Sequence, residues 1–316
     1  MSKAYKNAKV VYFDDESRFI FLSDAHRGDS SLADEFTHNE NIFLYALDYY
    51  YRNGFTYAEL GDGDELWEHA KFKHIRLAHS EAYQSMKKFF DDDRLFILYG
   101  NHNMILKKQQ YVRNNLYEYL DEYYDEKRAL FPNIIVYESL LMVHRNTGQE
   151  ILAVHGHQGD TMNDQGWVFS MLLLRYFWRL MHVIGFQNPA SPAKNATKRH
   201  KIERMYNKWI ASHKMMLICG HTHRAKYPRS GELPYFNTGC CIRATGITGI
   251  ELLEGKIQLV EWHVKSDRFG NLKVARNVVR GPDSIDKFNI ECVPYCQLTD
   301  DGDIVPIDME KSDNSE

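Results

Sequence analysis

What this chain lacks narrows its identity first. Cysteine is sparse and unpatterned: five residues in 316, with Cys240 and Cys241 adjacent and Cys219 inside an apolar run. An odd, irregular set gives no disulfide framework and fits a reducing cytoplasm. Positive charge is not in excess. Lys and Arg number 39 against 43 Asp and Glu, a net charge of −4, so a broadly basic nucleic-acid surface is not indicated. The first residues carry Lys3, Lys6 and Lys9 but then Asp14, Asp15, Glu16 and Arg18, too broken a run for a signal peptide. No internal repeat is visible. The long apolar stretch at 167–186 approaches a bilayer span in length, but Arg175 and Arg179 inside it argue against spanning.

What is present is a series of five short motifs between Asp24 and His223. They read Asp24-Ala25-His26, Gly61-Asp62, Gly100-Asn101-His102, His155-Gly156-His157 and Gly220-His221-Thr222-His223. Each follows an apolar run: Phe19-Ile20-Phe21-Leu22, Tyr57-Ala58-Glu59-Leu60, Leu95-Phe96-Ile97-Leu98-Tyr99, Ile151-Leu152-Ala153-Val154 and Met216-Leu217-Ile218-Cys219. Short runs of this kind beside Gly suit strands buried on both faces. The motifs then gather on loops at strand ends, where a layered α/β fold holds its site.

The donors are carboxylate, imidazole and amide, with no thiolate. That set suits Mn, Fe, Zn or a similar divalent ion. Two such ions need a shared anion to offset their repulsion, and Asp62 can bridge where a neutral imidazole cannot. Ions about 3.5–4 Å apart clamp a phosphoryl group and acidify a bound water toward pKa ~7.

The order Asp-x-His, Gly-Asp, Gly-Asn-His, His, Gly-His-x-His resembles the calcineurin-like metallophosphoesterase superfamily, over residues 18–262 with a break at the insertion before His221. The resemblance implies a layered α/β fold, a central β-sandwich flanked by helices. It implies Asp24, His26, Asp62 and His223 at one metal and Asp62, Asn101, His155 and His221 at the other, with manganese the expected ion and iron or zinc the alternatives. His102 is then the catalytic histidine that assists the leaving group, and a metal-bridging hydroxide is the nucleophile. Glu65 stands where the superfamily pattern expects an acid. Asn103 stands where Asp or Glu often orients the histidine; an amide can accept from imidazole but raises its pKa less than a carboxylate does. Asp64 is an extra acid with no role in the pattern. His157 either reaches substrate or caps the following turn, whereas His38, His69, His74, His79 and His144 read as ordinary surface or core residues.

The remaining pattern sets out the chain. Residues 8–22 read as a hairpin, 34–53 as a helix stopped at Asn53-Gly54, and 66–91 and 104–129 as further helices. Residues 134–143 give two short strands, and 235–239 and 247–260 read as edge strands. The expected division is a phosphoesterase domain over 1–265, with a helical insertion at about 161–214 as its cap, and an appendage with a polar tail over 266–316.

The insertion bears on substrate. Arg175, Arg179 and His182 share one helical face of the apolar stretch. Residues 194–214 then carry seven Lys or Arg against one acid, Glu203. This suits either a peripheral membrane contact or lid for an acylated anion, or an ordinary helical cap with a solvated basic face. It also gives a partial resemblance to the UDP-2,3-diacylglucosamine pyrophosphatase branch, which differs in having Arg where this chain has His102. The expected substrate is therefore a phosphate ester or pyrophosphate, lipid-linked or a sugar nucleotide. The alternatives are a protein Ser/Thr phosphatase, whose Gly-Asp-x-x-Asp-Arg-Gly and Gly-Asn-His-Glu patterns are absent, and a non-catalytic interaction module that retains the scaffold.

Overall fold

The computed structural model describes residues 1–159, 196–290, 296–298 and 304–306. The apolar stretch 167–186, with Arg175, Arg179 and His182, lies outside the described residues, as does the tail from 307. In chain order the strands are β1 Lys9–Phe13, β2 Arg18–Leu22, β3 Thr56–Leu60, β4 Leu95–Leu98, β5 Glu118–Asp121, β6 Glu126–Ala129, β7 Val136–Tyr137, β8 Ser139–His144, β9 Glu150–Val154, β10 Met216–Cys219, β11 Tyr235–Asn237, β12 Ile247–Leu253, β13 Lys256–Ser266 and β14 Leu272–Ser284. The helices are α1 Ser2–Lys6, α2 Glu40–Arg52, α3 Phe72–Ala78, α4 Ser80–Asp91, α5 Gln109–Leu116 and α6 Ala196–His213.

A seven-stranded sheet, ordered β14-β13-β12-β2-β3-β4-β7, faces a five-stranded sheet, ordered β1-β8-β9-β10-β11. The period of two along each central strand sorts its side chains between layers. On β2, Phe19 and Phe21 point into the core between the sheets, while Ile20 and Leu22 pack with Ile42, Phe43, Ala46 and Leu47 of α2. On β9 and β10, Ile151, Ala153, Met216 and Ile218 enter the inter-sheet core. Leu152, Val154, Leu217 and Cys219 pack on the other side with Tyr206, Trp209 and Ile210 of α6. The result is a β-sandwich flanked by helices, the layered α/β architecture expected. Fully burying a Phe or Ile contributes about 1.5–3 kcal/mol, against about 0–1 for an exposed ion pair. These central strands therefore anchor the loops at their ends far more firmly than surface contacts do.

Several local expectations are corrected. Residues 8–22 do not form a hairpin: β1 pairs in parallel with β8 at the edge of the smaller sheet, and β2 pairs with β3 and β12 in the larger one. The polar turn at Asp14–Ser17 carries the chain across the sandwich. The helix expected over 104–129 stops at Leu116, and β5 and β6 form a hairpin beyond it. Its turn is closed by Asp121 Oδ1, which accepts from Tyr123 N at 3.1 Å, and by Asp125 at φ 52°. In the stretch 66–91, helix begins only at Phe72. Strand β12 lies inside the larger sheet rather than at its edge, because β13 and β14 add outside it. The line drawn between 265 and 266 falls in the β13–β14 hairpin, so the larger sheet continues to Ser284.

Candidate metal centre

The sheet ends bring the five motifs together, and their backbone conformations are unusual. Asp24, His26, Asp62, His221 and His223 all have positive φ, from 47° to 66°. Residues other than glycine rarely hold that region, and where they do the surroundings must over-determine it. Here neighbouring loops supply the constraint. Asp24 N donates to Gly61 O at 3.1 Å, and His26 N donates to Asp62 O at 2.9 Å. Two glycines permit close approach: a Cβ on Gly100 would stand 2.2 Å from Asp62 Oδ1, and one on Gly220 would stand 2.4 Å from Asp24 Oδ2.

Of three clusters of possible ligands among the described residues, two take up the expected side chains, and the third groups His26, Glu65 and His102. In one of the two, Asp24, His26 and His223 converge; in the other, Asp62, His155 and His221 converge, each with its donor atoms within 4.8 Å of one another. His26 Nε2 lies 3.2 Å from His223 Nε2, which lies 3.1 Å from Asp24 Oδ1. Asp62 Oδ2 stands between the clusters, 3.0 Å from His155 Nε2 and 4.0 Å from His26 Nε2. Asn101 Oδ1 lies 3.2 Å from His155 Nε2. All seven side chains expected to bind metal are thus at one place.

The donor set fits divalent cations. His155 Nδ1 donates to Leu60 O at 2.8 Å, which leaves the lone pair of the neutral ring on Nε2. Nε2 faces two oxygens that can only accept, Asp62 Oδ2 and Asn101 Oδ1. Only a cation, a proton or a metal, satisfies all three. The titration tendencies state the same balance. Burial disfavours charge on His223, yet Asp24 outweighs it and raises the imidazole to about 10. His26 and His155 are likewise raised against burial, by Asp24 and Glu65 in one case and chiefly by Asp62 in the other. Asp24 and Asp62 are depressed, although burial opposes it, by His223 and His155 respectively.

The carboxylates are held by the loops themselves. Asp24 Oδ2 accepts from His221 N at 3.0 Å and from the Ser23 hydroxyl, and Asp62 Oδ1 accepts from His102 N at 2.8 Å. Beneath the His221–His223 loop, Asn237 Nδ2 donates to Gly220 O at 2.6 Å and to Thr222 Oγ1 at 3.2 Å.

His102 stands beside both clusters. Its Nδ1 pairs with Glu65 at 2.7–2.8 Å, and Glu65 also takes His26 Nδ1 at 2.8 Å. Burial opposes ionisation of Glu65, yet His102 and His26 hold its carboxyl well below the usual range. Asn103 does not take the orienting place considered for it. Its Oδ1 accepts from Gly100 N at 2.6 Å, and Glu65 binds the imidazole instead. The sequence pattern marked Glu65 as an acid in the right place; its two histidine partners became visible only in three dimensions. Trp67 also escaped notice as a neighbour of His102, against which it stacks.

The other histidines lie elsewhere. His38 and His74 are exposed. His69 pairs with Asp29 at 3.1 Å, His79 is buried between Asp34 and Glu40, and His144 bonds Thr147. His157 is buried at the start of a short 3-10 turn, its ring 5.5 Å from that of His155. Burial, with His155 and His221 beside it, keeps it neutral. Cys219, Cys240 and Cys241 are free and buried.

No family model matches the chain, and no curated protein matches it. Among solved structures it is similar to vacuolar protein sorting 29 from Cryptosporidium parvum, at 12% identity over 83% of this chain and 96% of that one, with a TM-score of 0.35. It is similar to Vps29 of Chaetomium thermophilum at 11% identity over 84% and 97%, TM-score 0.38. A predicted phosphoesterase from Streptococcus pneumoniae TIGR4 gives 13% over 83% and 98%, TM-score 0.33. Likeness at that level carries no argument about the site. Among the described residues, no helix is long and apolar enough to cross a membrane.

Proposed function

We propose that this chain is a hydrolase of phosphate esters or pyrophosphates that works with two divalent cations, manganese foremost. The observation that carries the reading is Asp62 Oδ2, placed between the Asp24–His26–His223 and Asp62–His155–His221 clusters. On this reading Asp24, His26, Asp62 and His223 hold one ion, and Asp62, Asn101, His155 and His221 hold the other. When bound, the ions clamp the phosphoryl group and lower the pKa of the attacking water. The chain's own residues do the rest. Asp62 and Asp24 supply the negative charge that keeps two cations close. Leu60 O fixes the ring of His155, and Glu65 fixes His26 and His102 together. With its Nδ1 committed to Glu65, His102 offers Nε2 to the leaving oxygen as a general acid.

The finer substrate class rests on the insertion. α6 buries Ile202, Tyr206, Trp209 and Ile210 and leaves Lys201 and Lys208 exposed, as is Lys214 just beyond its end. A basic face that follows the apolar stretch 167–186 in sequence suits an acylated or membrane-associated phosphate. Each CH₂ buried would contribute up to about 0.8 kcal/mol.

The test is a panel of substrates with Mn-loaded protein: aryl mono- and diesters, nucleotide diphosphate sugars, acylated sugar nucleotides and phosphopeptides. Two metal ions per chain and hydrolysis abolished by chelation are expected, with acylated anions the best substrates. Protein that takes up no Mn²⁺ when it is supplied and stays inert toward the whole panel would defeat the enzyme reading in favour of an interaction module. Preference for phosphopeptides would favour a protein phosphatase.

A further inference from the structure

Beneath the metal centre lies a fully buried guanidinium. Arg27 is 0% exposed. Its Nη1 and Nη2 donate to the two oxygens of Glu59 at 2.7 and 2.8 Å, and its Nε donates to Asp64 Oδ1 at 2.8 Å. Both acids are buried as well. Tyr57 donates to Glu59 at 2.8 Å and Tyr83 donates to Asp64, while the guanidinium lies over the Tyr83 ring, 5.2 Å from its centroid. The main chain joins in: Arg27 N donates to Gly63 O at 2.9 Å, and Glu65 N donates to Arg27 O at 3.0 Å. A Cβ on Gly63 would stand 2.5 Å from Arg27 Nη2 and closer still to Glu59.

Stability alone is a poor reason for this arrangement. Removing charges from water offsets most of their attraction, and an apolar set of similar volume is often neutral or better. Position is what distinguishes it. Arg27 directly follows His26, and Asp64 stands two residues after Asp62. His26 and Asp62 both hold positive φ, at 47° and 50°, and need outside constraint to stay there. A planar fork with fixed donor directions supplies such constraint where a flexible ammonium does not.

We propose that Arg27 is a positioning residue for the dinuclear centre. By gripping Asp64 and Glu59 it fixes the loop of Asp24 and His26 against the loop of Asp62 and Glu65, so that the two ligand sets meet at metal distance. This also gives Asp64 a role: it carries the grip to the loop of the bridging carboxylate. The inference rests on the two-metal reading. Residues that orient ligands from behind commonly change metal affinity by about 10–100-fold.

The experiment compares four proteins: the parent, Arg27→Lys, Asp64→Asn, and the charge-free combination Arg27→Met, Glu59→Leu, Asp64→Leu. Melting temperature is measured, together with Mn²⁺ affinity and stoichiometry by calorimetry, and kcat and KM on an aryl phosphate at saturating Mn²⁺. Arg27→Lys is expected to fold, to bind Mn²⁺ at least tenfold more weakly and to lose kcat with little change in KM. Asp64→Asn should show a smaller loss in the same direction. The charge-free combination should recover thermal stability without recovering Mn²⁺ affinity, which a merely structural role would not produce. Parental Mn²⁺ affinity in a stable charge-free protein would overturn the proposal. Should that combination not fold, parental affinity in both single variants overturns it equally. Failure of the parent itself to bind Mn²⁺ strikes at the two-metal reading instead, and is distinguished by appearing before any substitution is made.

Discussion

The Trp67 indole lies against the face of the His102 imidazole, with ring centroids 4.2 Å apart and planes inclined by 22°. Glu65 takes Nδ1 of the same ring, and His26 meets it edge-on with centroids 4.6 Å apart. A general acid must keep its proton aimed at the leaving oxygen, and loss of aim is costly. The stack limits rotation of a ring that is otherwise partly exposed. An aromatic pair of this kind is worth about 0.5–1.5 kcal/mol beyond its buried area. Trp67→Leu is therefore expected to lower kcat roughly two- to tenfold while metal content stays at the parental level. Steady-state kinetics beside metal analysis would decide; an unchanged kcat leaves the indole as core alone.

Glu65 and His102 should separate cleanly. His102→Ala removes the proposed acid but no proposed ligand. It should keep two metals and lose roughly 10²–10⁴-fold in kcat, the usual scale of acid–base assistance. The loss should shrink for aryl phosphates with good leaving groups, which need little protonation. Glu65→Gln keeps the shape but weakens the hold on both His26 and His102, so it should lose metal affinity as well as kcat. Equal metal content in both variants would show that Glu65 does not act through His26.

How far the sequence could be read follows from which contacts are local. The strand-end motifs were legible because an apolar run followed by a turn is a local pattern, and the two-faced burial of β2, β9 and β10 agrees with it. Strand partners are not local. β1 and β2 are four residues apart and look like a hairpin, but Lys9 pairs with Leu140 and Phe19 with Thr56. Residues 118–129 contain good helix formers, yet Asp121 closes a turn there and makes a hairpin. Around His102, chemistry was readable and partners were not. Asn103 is adjacent in sequence but bonds Gly100 N, whereas Glu65 reaches the ring from another loop. Arg27 gave no sign beyond being a charge beside Asp24 and His26, since its acids arrive from β3 and from the turn after it.

Asp62 is the residue whose loss should damage both metals at once. Its Oδ2 stands 3.0 Å from His155 Nε2 and 4.0 Å from His26 Nε2, while its Oδ1 accepts from His102 N. Asp62→Asn keeps the size and an oxygen for His102 N but removes the charge that offsets repulsion between two cations. Bound metal should fall below one ion per chain, and aryl phosphatase activity should nearly vanish. Atomic absorption and a colorimetric assay measure both. Full activity in this variant would sink the bridging role.

Removing the metals should make stability depend on pH in a particular window. In the metal-free chain His223 is raised to about 10, because Asp24 outweighs the effect of burial; unfolded, it returns to about 6.5. A group raised on folding contributes its full stability below the unfolded value and loses it as pH rises through the folded one. His26 and His155 are raised in the same sense. The chelated protein should therefore lose melting temperature steadily between about pH 6.5 and 10. In the loaded protein the cations replace those protons, and the decline over this window should be smaller. Cys219, raised chiefly by burial, acts in the same direction above the ordinary thiol value, but it does so with or without metal and cancels in the difference. Depression of Asp24, Asp62 and Glu65 acts only as pH falls through the carboxylate range, so it does not enter this window either. The measurement is the difference between the two melting curves at each pH. A gap between loaded and chelated protein that widens from neutral to pH 10 is expected. A constant gap would mean that the histidines of the site give up no protons to metal.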